Sequence, residues 1–560
     1  MISFTLGELA PLARLQLTSE QAATVVAQVS TNSKEIGAHC LFVPLKGERF
    51  DGHAFIQDAL AQGAVAYLSS QAAASAAANA AAPAVAVAAD AVDARKVACP
   101  DTLRVLGKCG QLVRRKSKAL VGAITGSCGK TTVKEMTAAI LSQAGSTLYT
   151  QGNFNNDVGV PLTLLRLSTE HDYAVIEQGA SHLLDIARTA EFVESDFALI
   201  TNVGAAHIEG FGSPEGVYHG KSELLDNLFA RFPERNGDGN LPLGRGIAVV
   251  PADSPWWPQW QRDYAAQIKQ GRLLSFGESA EATMRVSKLQ QEGEQLSFTL
   301  TCTLPGLELN HKITLQSLGR HNALNAAGAA LLARVMGARA EHIVAGLTQS
   351  QGLSGRLTPQ RFACGLTVID DAYNASFNAV IAALDTLNQM PGYRIMVFGD
   401  MGELGASAYK LHYQVGAAAA LRVDAFMALG PLSQAALQAI ADAGCKPEGL
   451  NLDDLKSEGL KPEERKLEEL TPEGRKPELQ VTMAYGAPSH AELIARLCTE
   501  IRGKLKAGQP VTCLVKGAHA MHMDQMVAAL TELGAELDAK LDAVDAEPTA
   551  DPSAKREARN

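Results

Sequence analysis

The chain has no run of about 18 apolar residues, no C-x-x-C pair and no block of Lys and Arg, and each absence argues against a class of function. Without the apolar run no membrane span is expected. The opening Met1-Ile-Ser-Phe-Thr-Leu-Gly-Glu8 lacks a basic region ahead of an apolar core, so no secretory signal is expected and the expected compartment is the cytoplasm. Nine cysteines, odd in number and widely scattered, fit reduced thiols rather than a disulfide framework. A net charge of -10 with no basic patch argues against nucleic acid as the main partner, because phosphate neutralisation needs clustered cations. What is there is 46% hydrophobic and 20% charged residues, the composition of a soluble globular protein. At roughly 150 residues per domain, 560 residues imply three or four units.

The stretch richest in chemistry is Ala119-Leu-Val-Gly-Ala-Ile-Thr-Gly-Ser-Cys-Gly-Lys-Thr-Thr-Val-Lys-Glu135. It reads as strand, phosphate loop, helix. It too lacks something: a full Walker A has Gly where Ile124 stands, so the loop is the shorter G-x-x-G-K-T-T form. Gly126, Ser127, Cys128, Gly129, Lys130, Thr131 and Thr132 are the expected nucleotide contacts. Two glycines let the backbone turn its N–H groups inward, and the helix that follows adds the positive end of its dipole. Lys130 is placed to reach the terminal phosphates and Thr131 to hold Mg²⁺ through its hydroxyl.

The rest of the chain alternates short apolar runs with helical patterns, which predicts an α/β protein. Residues 1–98 form a small α/β unit, with strands over 40–45 and 64–68 and a helix over 54–62; the Ala-rich 71–98 is low in complexity around a strand-like 84–87. Residues 99–350 carry the phosphate loop. There the polar run 150–159 reads as a loop near the nucleotide, a strand over 173–176 ends on Glu177, and another over 197–202 leads to His207. Ligands of an open α/β sheet gather at such strand ends, so Glu177 is an expected Mg²⁺ partner and His207 a metal or phosphate contact. Pro251-Ala-Asp-Ser-Pro-Trp-Trp-Pro258 reads as a stiff loop with no room for a helix or central strand. Residues 296–304 alternate as a half-buried antiparallel strand, and 319–325 open an Ala-rich helix. Residues 351–540 read as a doubly wound unit with strands over 366–370, 394–398, 425–429 and 511–515. Within it, 446–480 repeats Lys-Pro-Glu at Lys446, Lys461 and Lys476 and offers no apolar face, so a solvated insertion is expected. The tail 541–560 is expected to be disordered.

Taken together, the phosphate loop, Gly152-Asn-Phe-Asn-Asn-Asp-Val-Gly-Val-Pro161, Asp370-Asp-Ala-Tyr-Asn-Ala375 and Leu514-Val-Lys-Gly517 resemble the Mur ligase family, MurF type, from about residue 29 to about residue 530. The resemblance implies three domains: an N-terminal one gripping a UDP end, a central P-loop ATPase and a C-terminal Rossmann-like one. It implies an ATP-dependent amide ligase that joins D-alanyl-D-alanine to UDP-N-acetylmuramoyl-tripeptide through an acyl phosphate, with ATP and two Mg²⁺ ions. By matching position, Lys130, His207 and Lys221 resemble catalytic residues, and Thr131, Glu177, His207 and Lys221 the metal sites, with Lys221 as a carbamate. Asn322 and Asn325 look like adenine contacts; Arg356 and Asp371 look like contacts from the C-terminal domain to the nucleotide. Thr31, Ser33 and Lys34, with Gly47 and Asp51-Gly-His53, resemble the uridine region, while Tyr373, Asn374 and Lys516 fall to the incoming substrate. The pattern departs from the family's usual residues at Asn32, Lys34, Ser181, Ser376 and Ala518-His519. A monomer is expected. Two other readings stand beside this one: another amide ligase of the superfamily, such as one adding glutamate to a folate, and a non-catalytic nucleotide-gated binding protein.

Overall fold

The computed structural model describes residues 1–47, 50–70, 93–234, 243–350, 355–448 and 479–545. Three α/β units follow one another, each around its own sheet. In the first, Gln28–Ser30, Cys40–Phe42, Ala66–Ser69 and Lys96–Ala98 form a parallel four-stranded sheet. A two-stranded ribbon of Phe4–Thr5 and Val25–Val26 stands beside it. The expected helix over 54–62 is a 3₁₀ turn, Gly52–Phe55, running into the helix Ile56–Ala61. The strand-like 84–87 lies outside the described residues.

The central unit carries a nine-stranded sheet. From edge to edge its order is Leu309–Gln316, Gln295–Cys302, Met284–Glu292, Leu273–Gly277, Ile247–Pro251, Phe197–Ile200, Leu120–Thr125, Tyr173–Glu177 and Thr147–Tyr149. The first three strands pair antiparallel, and Gln295–Cys302 alternates buried and half-exposed residues as its sequence predicts. The other strands run parallel and are nearly all buried, since helices cover both faces. The strand Leu120–Thr125 sits between Phe197–Ile200 and Tyr173–Glu177, so the phosphate loop, residue 177 and the loop leading to His207 leave the same edge side by side. The Ala-rich helix Arg320–Val335 packs under that edge against Lys130–Ser142. Its small side chains allow that close approach, and Gly346 on the next helix lies where a Cβ would come within 2.5 Å of Ile140.

The third sheet holds six strands in the order Thr358–Arg361, Leu366–Asp370, Val511–Lys516, Tyr393–Gly399, Ala425–Leu429 and Met483–Ala487, all parallel except the first. This is the doubly wound, Rossmann-like sheet.

Three expectations change. Pro251 closes the central strand Ile247–Pro251, and Pro258 sits in the first turn of the helix Trp257–Asp263. Pro251 lies past Val249, where pairing with Phe197–Ile200 ends, and Pro258 gives up only a first-turn donor, which has no partner within its helix. The two tryptophans between them serve packing: Trp256 stacks on Tyr218 with centroids 4.9 Å apart, and Trp257 lies against the same core. The insertion is not detached at its ends: Glu448 bridges Tyr485 and accepts from the Gly486 N–H, and Val481 is buried with its N–H on the Ala420 carbonyl. Residues 449–478 lie outside the described residues. Residues 541–545 of the tail expected to be disordered belong instead to the helix Asp524–Asp545; residues 546–560 are not among those described.

Candidate active site

The site grows from the phosphate loop. Gly126 and Gly129 have φ of +145° and +77°, and a Cβ on Gly126 would fall 2.0 Å from Thr201 Oγ1, so both the turn and the packing exclude a side chain there. The Ser127 and Cys128 N–H groups do not face the cavity: they donate to the Asn202 carbonyl and side-chain oxygens at 3.0 and 2.9 Å. The anion cradle therefore begins at Gly129, where Lys130–Ser142 starts with no side-chain cap and leaves its first-turn N–H groups to a ligand. Lys130 Nζ donates to the Gly126 and Ser127 carbonyls at 2.8 and 3.3 Å. Burial lowers its pKa, against the pull of the Glu177 carboxylate.

Glu177 is 1% exposed at the tip of its strand. Its Oε1 accepts from Asn155 Nδ2 at 2.8 Å and from the Thr131 hydroxyl at 3.4 Å, while its buried Oε2 has no hydrogen-bond partner. A buried carboxylate oxygen without a donor is costly unless a cation fills the gap. With the Thr131 hydroxyl beside it, the donor set is all oxygen, as Mg²⁺ requires. Thr150 holds the strand end by accepting the Glu177 N–H on its hydroxyl, and the buried Lys134 holds Thr150 through its carbonyl at 2.7 Å.

The second group of expected metal residues is arranged differently. His207, with φ +54°, lies on the cavity wall, where its Nδ1 meets Ser181 Oγ at 3.3 Å and the Glu403 carboxylate. Lys221 stands behind the wall, fully buried, with Nζ on the Ala180 carbonyl at 3.1 Å and 5.0 Å over the Phe211 ring. Burial first, then the Lys130 charge, brings its pKa down to about 7. Among the described residues no three His, Cys, Asp or Glu side chains cluster as a ready metal cage.

Across the cavity stands the third unit. Arg356 donates to Thr131 Oγ1 at 2.9 Å and lies 4.6 Å over the Tyr373 ring, linking the two units at the phosphate loop itself. Cys128 Sγ and Ser376 Oγ meet at 2.8 Å across the same boundary. Lys516 is 3% exposed and donates to Asp371 Oδ2 at 2.6 Å and to the Asn374 carbonyl at 3.0 Å. Asp371, a sequence candidate for nucleotide contact, thus spends one oxygen on Lys516 and the other on the Leu357 N–H. Asn322 and Asn325 are hydrogen-bonded to each other at 3.1 Å, and a Cβ on Gly129 would meet the Asn325 amide at 2.8 Å.

Most of these residues line one cavity of about 1090 Å³ between the central and third units; Gly126, Lys134, Thr150 and Lys221 do not. Thr31, Ser33 and Lys34 line a separate one of about 690 Å³ in the first unit. Phe50 and Phe55, stacked with centroids 5.2 Å apart, wall that second cavity and were not singled out from the sequence. Asn202, Asn155 and Glu403 were missed as well; Asn155 lies in the run 150–159 that sequence placed near the nucleotide, whereas Glu403 carries no local signal.

A phosphate loop facing a strand-tip carboxylate, with a second unit reaching across to the loop, defines a multidomain phosphate-loop enzyme. Known proteins narrow the class. The Mur ligase family catalytic domain matches residues 25–113, the Mur ligase middle domain 124–333, and the Mur ligase glutamate ligase domain 355–458. The UDP-N-acetylmuramoyl-tripeptide--D-alanyl-D-alanine ligase of Escherichia coli is 35% identical over 95% of this chain and 100% of its own length. MurF from Acinetobacter baumannii superposes with a TM-score of 0.75 at 29% identity, over 95% of this chain and 99% of that one. Thermotoga maritima MurF, solved in complex with ADP, has a TM-score of 0.68 at 22% identity over 92% and 98% of the two chains and speaks for the fold alone. The chain belongs to the Mur ligase family, and within it to the MurF type.

Proposed function

We propose that this chain joins D-alanyl-D-alanine to UDP-N-acetylmuramoyl-tripeptide at the expense of ATP. The observation that carries the reading is the split site: Thr131 of the phosphate loop is held at once by Glu177 of its own unit and Arg356 of the third. ATP lies along the loop, its terminal phosphates at the N–H groups after Gly129 and at Lys130. Asn322 and Asn325 face the base. The tripeptide carboxylate attacks the γ-phosphorus and expels ADP, and the dipeptide amine then attacks the acyl carbon, loses a proton and expels phosphate. No covalent nucleophile from the protein is needed; positioning and charge neutralisation carry the reaction.

Thr131 and Glu177 would hold Mg²⁺, which supplies neutralisation of phosphate charge; His207 and Lys221 would hold a second ion. Lys221 fits that role only after carbon dioxide adds to its amine, since an ammonium repels a cation. The addition needs a neutral amine, which a pKa of about 7 supplies. The first unit, residues 1–98, grips the UDP end through Thr31, Ser33 and Lys34, with Phe50 and Phe55 offering an aromatic face to the base. The central unit, 99–350, binds ATP, and 351–540 brings the dipeptide past Tyr373, Asn374 and the Lys516 strand end.

Phosphate release measured with all three substrates, and with each left out in turn, tests the reading. Turnover only with the full set supports it. Equal turnover with free L-glutamate and a folate in place of the two peptides supports the other ligase class, and ATP binding with no turnover on any acceptor supports a binding protein.

A further inference from the structure

Two loops from different units meet beside His207, and both leave the carboxyl ends of parallel strands. Residues 204–211 follow Phe197–Ile200, and residues 400–407 follow Tyr393–Gly399 of the third unit. Ala205 and Ile208 pack into the third unit's core, where Met401 and Leu404 are 2% and 3% exposed. The Glu209 N–H donates to the Glu403 carbonyl at 3.4 Å, and the Glu403 carboxylate engages His207 Nδ1. Three backbones at this contact are left-handed: His207 at φ +54°, Glu403 at +60° and Gly405 at +52°. Non-glycine residues adopt that region at a cost, and here two of them face each other with their side chains joined. A Cβ on Gly405 would lie 3.3 Å from Glu209.

An imidazole has two distinct nitrogens. When Nδ1–H donates to a carboxylate, the lone pair is left on Nε2, and the ring is both oriented and made more basic toward a cation. We propose that Glu403 is a positioning residue for His207: it is delivered by the third unit, fixes the tautomer and orientation of the ring, and so couples docking of that unit to cation affinity at the second site. This rests on the reading of His207 as a metal ligand. The consequence is an order of events, with the second ion bound tightly only when the dipeptide-bearing unit is docked.

The test is Mn²⁺ binding to the full-length protein with a non-hydrolysable ATP analogue, followed by electron paramagnetic resonance and counted per chain. Wild type binds two ions. Glu403→Ala, at a side chain 60% exposed, should fold and should weaken the second ion about 10-fold or more while leaving the first unchanged. Glu403→Gln, which keeps an acceptor for Nδ1–H, should recover part of that loss. Gly405→Ala removes no ligand but strains the loop, and should weaken the same ion. Unchanged second-ion affinity in Glu403→Ala overturns the proposal while leaving the metal reading intact. Binding of a single ion by wild type, unaffected by His207→Ala, overturns the metal reading and this proposal with it.

Discussion

Replacing Lys221 by Met should stabilise the protein and silence it. Lys221 is fully buried and its pKa falls from an ordinary 10.5 to about 7. Above pH 10.5 the amine is neutral folded and unfolded, and burial costs nothing on this account. As the pH drops through 10.5 the unfolded amine takes up a proton that the folded one refuses until about 7, so wild-type stability is lost across that window and levels off below it. At 1.36 kcal/mol per pH unit the loss is at most about 5 kcal/mol. Methionine keeps the volume but gives up the hydrogen bond to the Ala180 carbonyl and the contact over Phe211, together about 2 kcal/mol. The variant should therefore gain about 3 kcal/mol at pH 6, or roughly 6–12 °C in the melting of a unit this size. Above pH 10.5 the sign should reverse. The assay is thermal melting of wild type and Lys221→Met from pH 6 to 11 in bicarbonate-free buffer, with ligation measured separately in the presence of bicarbonate. Bicarbonate should raise the melting temperature of wild type alone. A variant that melts lower than wild type at every pH, with no trend, would refute the reasoning, as would normal ligation by that variant.

Other outcomes follow from the same site. Lys130→Ala should cut ligation by at least about 100-fold while leaving the protein folded, because it removes an ammonium that holds the Gly126 and Ser127 carbonyls and not volume from a core; comparison of rates and melts checks both halves. Glu177→Gln should raise the Mg²⁺ concentration giving half-maximal rate at least about 10-fold, since it removes the charge at the buried Glu177 Oε2, which has no hydrogen-bond partner; a titration of rate against Mg²⁺ reads it. Burial raises the thiol pKa of the other eight cysteines, whereas Cys128 lines the cavity, so iodoacetamide should label Cys128 first and ATP should protect it, as peptide mapping will show. Joining Glu448 to Leu479 through a short Gly-Ser linker should leave the rate near normal, whereas a cut extending to Gly444 and Val481 should lower stability by removing the Glu448 bridge and the Gln480 contact.

The phosphate loop, the strand alternation and Glu177 at its strand tip were legible because each is written in consecutive residues: a loop's glycines and a strand's apolar run are local facts. Pro251 and Pro258 misled because proline excludes the middle of an element and not its ends, and sequence does not mark where an element ends. Lys516 was read as a substrate contact; its partner Asp371 lies 145 residues away, and only folding shows that its ammonium is held by a buried carboxylate. The link from Arg356 to Thr131 spans 225 residues and that from Glu403 to His207 spans 196, so neither leaves a trace in spacing. The family resemblance supplied Arg356 where periodicity could not, but gave no sign of Glu403. It also placed Lys221 among metal ligands without showing that the side chain stands behind the cavity wall, where its lowered pKa arises.

The most direct measurement follows oxygen. With both oxygens of the tripeptide's terminal carboxylate labelled as ¹⁸O, and ATP and D-alanyl-D-alanine present, the account predicts a pentapeptide product retaining one label and inorganic phosphate carrying the other, both read by mass spectrometry. Unlabelled phosphate, or ATP consumed with no amide formed, would contradict it.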